Sequence, residues 1–163
     1  MPNPRFHLLF DIDLCGLAEL PTLRGQSFTH VISIWGTRFP RNASNIVKAG
    51  FPKAQVLVTH FDDISSPDEK GALPTQKNVR TVLDFSATIT SGSKVLVHCL
   101  AGISRSSAVA FAIACQHALP GMEQAAYIAL KERFPRIRPN REILRHADGI
   151  LARNGQLYRA ALG

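Results

Sequence analysis

Cysteine is scarce in this chain, and the little there is forms no pattern. Cys15, Cys99 and Cys115 are an odd number, with no Cys-x-x-Cys pair and no histidines at metal-ligand spacing. This argues against a disulfide framework and a zinc site, points to a reducing compartment, and leads us to expect neither metal nor cofactor. Long apolar runs are missing too. The run over residues 6–10 is interrupted at once by Asp11 and Asp13, so neither a signal peptide nor a membrane anchor is expected, and the default location is cytoplasmic. Repeats and low-complexity tracts are absent, and 163 residues are enough for one domain with a proper core. The expectation is a monomer with one domain over 1–163.

Negative charge is in short supply: 12 acidic residues face 19 Lys and Arg, for a net charge of +7. The basic residues thicken toward the C-terminus, at Lys131, Arg133, Arg136, Arg138, Arg141, Arg145, Arg153 and Arg159. A basic face attracts phosphorylated or polyanionic partners. No aromatic side chains interleave there as a stacking platform would require, and Glu142 between Arg141 and Arg145 reads as a solvated helix face with charge pairs. Nucleic acid is therefore not an expected partner.

What is present converges on residues 94–114, KVLVHCLAGISRSSAVAFAIA. Val95-Leu96-Val97 has the length and β-branched content of a buried strand, and the Ala-rich segment over 108–118 reads as a buried helix. His98 and Cys99 thus sit at a strand end, in a tight turn that opens a helix, with Arg105 six positions after the cysteine. Such a loop turns successive backbone N–H groups (Leu100, Ala101, Gly102, Ile103, Ser104, Arg105) toward one point, an anion cradle reinforced by the helix dipole. A free thiol has a pKa of about 8.5, and helix N-termini and neighbouring cations lower it to roughly 3.5–7.5. Gly102 permits a close backbone approach, and the planar fork of Arg105 suits two phosphate oxygens. Ser106 is placed to donate a hydrogen bond to the Cys99 sulfur, and His98 to orient the loop.

Elsewhere the pattern predicts strands over 5–12, 29–35 and 54–61. Helical turns or helices are expected over 14–20, ending at Pro21, and over 42–49, 75–90, 122–134 and 141–153, with a short or frayed helix after Asn154-Gly155. The implied class is α/β, a central and mostly parallel sheet of four to five strands flanked by helices, with its site at the C-terminal edge of the strands.

The segment His98-Cys99-Leu100-Ala101-Gly102-Ile103-Ser104-Arg105-Ser106-Ser107 resembles the phosphate-binding loop of the protein tyrosine phosphatase superfamily, in its dual-specificity branch. Weaker echoes are Thr29-His30-Val31 in the early strand and the Pro-x-Ile-x-Pro-Asn turn at Pro135 to Asn140. The resemblance covers about 29–152. It implies a covalent mechanism in which Cys99 attacks phosphorus, Arg105 and the loop N–H groups hold the oxygens, and an Asp following a strand protonates the leaving group. Asp62 and Asp63 occupy that place; apolar-variable-Asp, read on Phe61-Asp62-Asp63, selects Asp63. Asn140 is implied as a brace for the loop, and as a residue before a helix it also reads as an N-cap.

The expected substrate is a phosphorylated protein, with phosphotyrosine ahead of phosphoserine or phosphothreonine, because Leu100, Ala101, Ile103 and Ser104 carry no charge. A phosphoinositide or RNA 5′-phosphate phosphatase is the runner-up. A phosphate-reading module without turnover and a rhodanese-like sulfur transferase are the alternatives from other classes. Cys115, on an apolar helix, reads as core rather than as a redox partner of Cys99, and Cys15 stays unplaced.

Overall fold

A parallel sheet buries both faces, so its strands need apolar residues of both parities and helices on either side. The computed structural model describes residues 6–39 and 41–163. Its elements in order are β1 (Asp11–Cys15), α1 (Leu20–Leu23), β2 (His30–Trp35), α2 (Ala43–Gly50), β3 (Gln55–His60), α3 (Gln76–Ser86), β4 (Lys94–His98), α4 (Arg105–Gln116), α5 (Glu123–Arg133), α6 (Arg141–Ile150) and α7 (Gln156–Leu162). The sheet runs β1-β4-β2-β3 with every pairing parallel. Among the described residues it has four strands, the lower of the two expected counts.

Side-chain parity divides the interior in two. Ile12, Ile32, Ile34, Val95, Val97 and Cys99 face a large cluster completed by α3 to α7. Cys15, Val31, Trp35 and Leu96 face a smaller one closed by Leu20 of α1 and by Ala43 and Val47 of α2. The helices that follow β1 and β2 therefore cover one face, whereas the helix that follows β4 covers the other. Beyond the end of β4 the connections part, which opens a crevice at the C-terminal edge of the sheet.

Most expected elements form within a few residues of their predicted ends, and the N-terminus is the exception. The strand expected over 5–12 lies at Asp11–Cys15, with Arg5 outside the described residues. The helical turn expected over 14–20 starts later: Leu14 and Cys15 remain in the strand, hydrogen-bonded turns run from Gly16 to Leu20, and Pro21 sits inside α1 rather than ending a helix. Proline is accepted in a first helical turn, where its missing N–H costs nothing. Asp11 and Asp13, which interrupt the apolar run over 6–10, lie within β1 at the edge of the sheet, Asp13 pairing with Arg133. The helix expected over 75–90 starts after Thr75, whose side chain caps it, and ends at Ser86.

The C-terminal cations do not all lie on a solvated face. Arg145 pairs with Glu142 on the surface, but Arg153 is buried, with Nη1 2.9 Å from Glu123 Oε1 and Nη2 donating to the carbonyls of Cys115 and Ala118. It ties the segment after α6 to α4 and α5. Arg153→Met should cost about 3 kcal/mol, because Glu123 stays buried without its partner. Arg145→Met should change stability by less than about 0.5 kcal/mol. Urea midpoints of the two variants check the contrast, and equal losses would contradict it.

Candidate phosphate-binding site

The C-terminal end of β4 carries Cys99 into a loop seated on the β1–α1 connection. Leu17 N–H donates to the Leu100 carbonyl at 2.9 Å, and Cys99 N–H to the Cys15 carbonyl at 3.4 Å. Gly102 has φ +72°, and a Cβ there would lie 2.6 Å from the Cys15 carbonyl carbon and the Gly16 nitrogen, so any side chain would lift the loop off its seat. The loop runs straight into α4, whose first residue is Arg105. Gly102 N–H points at Cys99 Sγ from 3.2 Å, and Ser106 Oγ lies 3.3 Å from the same sulfur. The N–H groups of Leu100, Ala101, Ile103, Ser104 and Arg105 have no acceptor among the described residues. Cys99 is therefore at the base of a cradle of donors.

Arg105 is almost fully buried, and its Nη1 donates to the Phe61 carbonyl at 2.9 Å. Its Nε is buried with no acceptor. A cationic N–H without a partner is costly in the interior, and a doubly charged phosphate above Cys99 would relieve it.

The acid pair separates cleanly. Asp62 accepts from Thr37 N–H at 2.9 Å, Thr37 Oγ1 at 2.7 Å and Ala72 N–H at 2.8 Å. The Ala72 and Thr37 hydrogen bonds hold its carboxyl below the usual range. It clamps the loop after β2 and closes the 62–72 loop, with both oxygens occupied by Thr37 and Ala72. Asp63 faces the cradle: Oδ1 accepts from Ser104 Oγ at 2.6 Å and from Asn140 Nδ2 at 3.0 Å, while Oδ2 has no partner among the described residues. Asn140 also receives its own share of contacts: its N–H donates to the Ser104 carbonyl, its Nδ2 to the Ile64 carbonyl, and its Oδ1 accepts from Glu142 and Ile143 at the start of α6. Brace and cap are one residue.

His98 points to the opposite face of the sheet from Cys99. Its Nε2 is 2.6 Å from Ser33 Oγ, which also accepts from Trp35 Nε1 at 2.6 Å, and its Nδ1 is 3.3 Å from the Cys99 carbonyl. Burial lowers its pKa to about 4, against a small opposing pull from the Cys99 carbonyl, so the ring is neutral at physiological pH. Beside the cradle, Leu17, Phe39 and Leu100 form an apolar rim; Leu100 is 51% exposed. Ser33, Trp35 and Thr37 were not singled out from the sequence. Ser33 was visible only as a lone polar residue in an apolar strand, and its partner lies 65 positions away.

Neither remaining thiol shares the cradle with Cys99. Cys15 is opposite His98 in register and points into the smaller cluster. Burial, with lesser contributions from Glu19, Cys99 and Asp13, pushes it up to about 12. Cys115 lies near the far end of α4, where burial raises its pKa as well.

No curated protein matches the chain. Among solved structures, the active form of Tk-PTP is 17% identical with a TM-score of 0.62, covering 92% of this chain and 98% of its own. The human tyrosine phosphatase-like serine/threonine/tyrosine-interacting protein is 26% identical with a TM-score of 0.59, covering 86% and 91%. PTPMT1 in complex with PI(5)P is 23% identical with a TM-score of 0.57, covering 93% and 92%. The family described as the dual specificity phosphatase catalytic domain matches residues 17–147, starting earlier than the likeness legible in the sequence. The chain therefore belongs to the dual specificity phosphatase catalytic-domain family and is a phosphatase.

Proposed function

We propose that the chain hydrolyses phosphotyrosine in proteins, with phosphoserine and phosphothreonine as further substrates, through a phosphocysteine intermediate. The observation that carries the reading is the convergence on one sulfur: Cys99 Sγ meets Gly102 N–H and Ser106 Oγ, beside the unsatisfied Nε of buried Arg105. Binding alone would need no thiol there. The uncharged rim of Leu17, Phe39 and Leu100 offers an apolar surface for an aryl ring.

In the first step Cys99 thiolate attacks phosphorus, forming the S–P bond as the bond to the leaving oxygen breaks. Asp63, protonated on the unpartnered Oδ2, gives that oxygen its proton. Water then attacks the phosphocysteine, loses a proton to Asp63 and yields inorganic phosphate, while Ser106 O–H stabilises the departing thiolate. Arg105 and the N–H groups from Leu100 to Arg105 hold the equatorial oxygens in both steps. Uncatalysed phosphomonoester hydrolysis needs accelerations of up to about 10²¹-fold, which positioning alone does not supply.

A second reading rests on charge. Arg136, Arg138 and Arg141 are exposed in the segment whose Arg138 N–H donates to the Ile103 carbonyl, so a phosphoinositide headgroup or an RNA 5′-phosphate would find cations beside the loop.

Initial rates on para-nitrophenyl phosphate from pH 5 to 8 test the reading. Vanadate-sensitive turnover should vanish in Cys99→Ser, and a panel of phosphopeptides, phosphoinositides and 5′-phosphorylated RNA then ranks the substrates. Turnover that survives the substitution would contradict the nucleophile; phosphate analogues that bind without turnover would favour a phosphate reader.

Asp63→Asn should lower kcat about a hundredfold or more for leaving groups of high pKa and less for activated esters. Asp62→Asn loosens the loop but should leave the leaving-group dependence unchanged; the opposite pattern would move the acid to Asp62. Asn140→Ala, which frees both Asp63 and the loop, should weaken vanadate binding with the domain still folded, and an unchanged affinity would reduce Asn140 to a helix cap.

A further inference from the structure

The two strands beside the phosphate loop carry a buried polar chain on the face away from the sulfur. Ser33 and His98 are register partners across β2 and β4, so their side chains leave the sheet on the same side. Trp35, two residues along β2, shares that side and stands edge-on to the His98 ring at a centroid distance of 5.8 Å. All three are buried, Ser33 completely. Polar groups so enclosed must satisfy one another, and here only one assignment of hydrogens does so.

Trp35 Nε1 can only donate, so Ser33 Oγ accepts from it at 2.6 Å. The Cys99 carbonyl can only accept, so His98 Nδ1, at 3.3 Å, carries the ring proton. The neutral ring then has a bare Nε2, which accepts a hydrogen bond from the Ser33 hydroxyl at 2.6 Å. The donors run one way, from Trp35 through Ser33 and His98 to the carbonyl of Cys99.

The end of that chain matters because a trans peptide points its C=O and its N–H in opposite directions. Holding the Cys99 carbonyl toward His98 turns the N–H of Leu100 the other way, toward the cradle side of the loop. Leu100 N–H has no acceptor among the described residues. We propose that Ser33 and Trp35 are positioning residues for the phosphate loop: acting through His98, they fix the Cys99–Leu100 peptide so that the first N–H of the cradle meets the phosphate. This rests on the reading of Cys99 as the site of phosphate attack. The other groups near the ring, Arg105 at the start of α4 and Cys15 opposite it on β1, do not hydrogen-bond to it.

The test combines vanadate affinity with the ring tautomer of His98 read from ¹⁵N shifts. Wild type should show the Nδ1–H form alone. Ser33→Ala should bind vanadate about tenfold more weakly, the worth of one well-placed hydrogen bond, and should populate both tautomers. Trp35→Phe keeps the ring contacts but loses the donor, and should move both readouts in the same direction by less. Ser33→Thr retains the hydroxyl and should restore the single tautomer and most of the affinity.

Vanadate affinity within twofold of wild type in both Ser33→Ala and Trp35→Phe, or an unchanged tautomer in Ser33→Ala, would overturn the proposal. A wild type that binds no vanadate, or turnover that survives Cys99→Ser, would overturn the underlying reading instead, so the two failures are distinct.

Discussion

A buried guanidinium is tolerable only where its N–H groups meet acceptors, and Arg105 has one firm acceptor, the Phe61 carbonyl 2.9 Å away. That single hydrogen bond joins the first residue of α4 to the last residue before the acid pair. It fixes the distance between the loop that cradles an anion and the segment that carries Asp62 and Asp63. The remaining contacts refine the same junction. Asn140 reaches Asp63, Ile64 and Ser104 from the start of α6, while Ser104 holds Asp63 from the loop itself. Three segments distant in sequence are thereby locked around one sulfur.

The cost of that arrangement is carried by the sheet. Gly102 must be in the left-handed region and bare of a side chain, since the Cys15 and Gly16 backbone lies against it. β1 therefore does more than complete the sheet edge: its C-terminal end is the seat of the phosphate loop. This also explains why Cys15, though near Cys99 in the fold, is no natural disulfide partner. Successive residues along a strand alternate faces, so Cys15, in register with His98, faces away from Cys99, and the two thiols belong to different core clusters. Burial holds the Cys15 and Cys115 thiols protonated, which leaves neither as a ready redox partner for Cys99.

Legibility followed the range of the interactions. The strand–loop–helix over 94–114 was readable because Cys99, the loop N–H groups and Arg105 lie within seven residues and local pattern sets their geometry. The α3 and α6 boundaries were close because Thr75 and Asn140 announce helix starts in the sequence. β1 was misplaced because Asp13, at a sheet edge, finds a partner in Arg133, far along the chain. The division of labour between Asp62 and Asp63 depended on Thr37 and Ala72, and the His98 partners on strand register; neither leaves a local trace. Arg153 looked like one more surface cation, yet it is a buried tie because Glu123 and two helix-end carbonyls happen to converge on it.

The claim on which the mechanism stands is a covalent bond between Cys99 and the phosphoryl group. Rapid quench during turnover of para-nitrophenyl phosphate by Asp63→Asn, in which the intermediate should accumulate because that leaving group needs no proton while the attacking water has lost its base, followed by peptide mass spectrometry, tests it directly. The account predicts phosphate on the peptide containing Cys99 and on no other cysteine. Turnover under the same conditions with Cys99 unmodified at every quench time would contradict it.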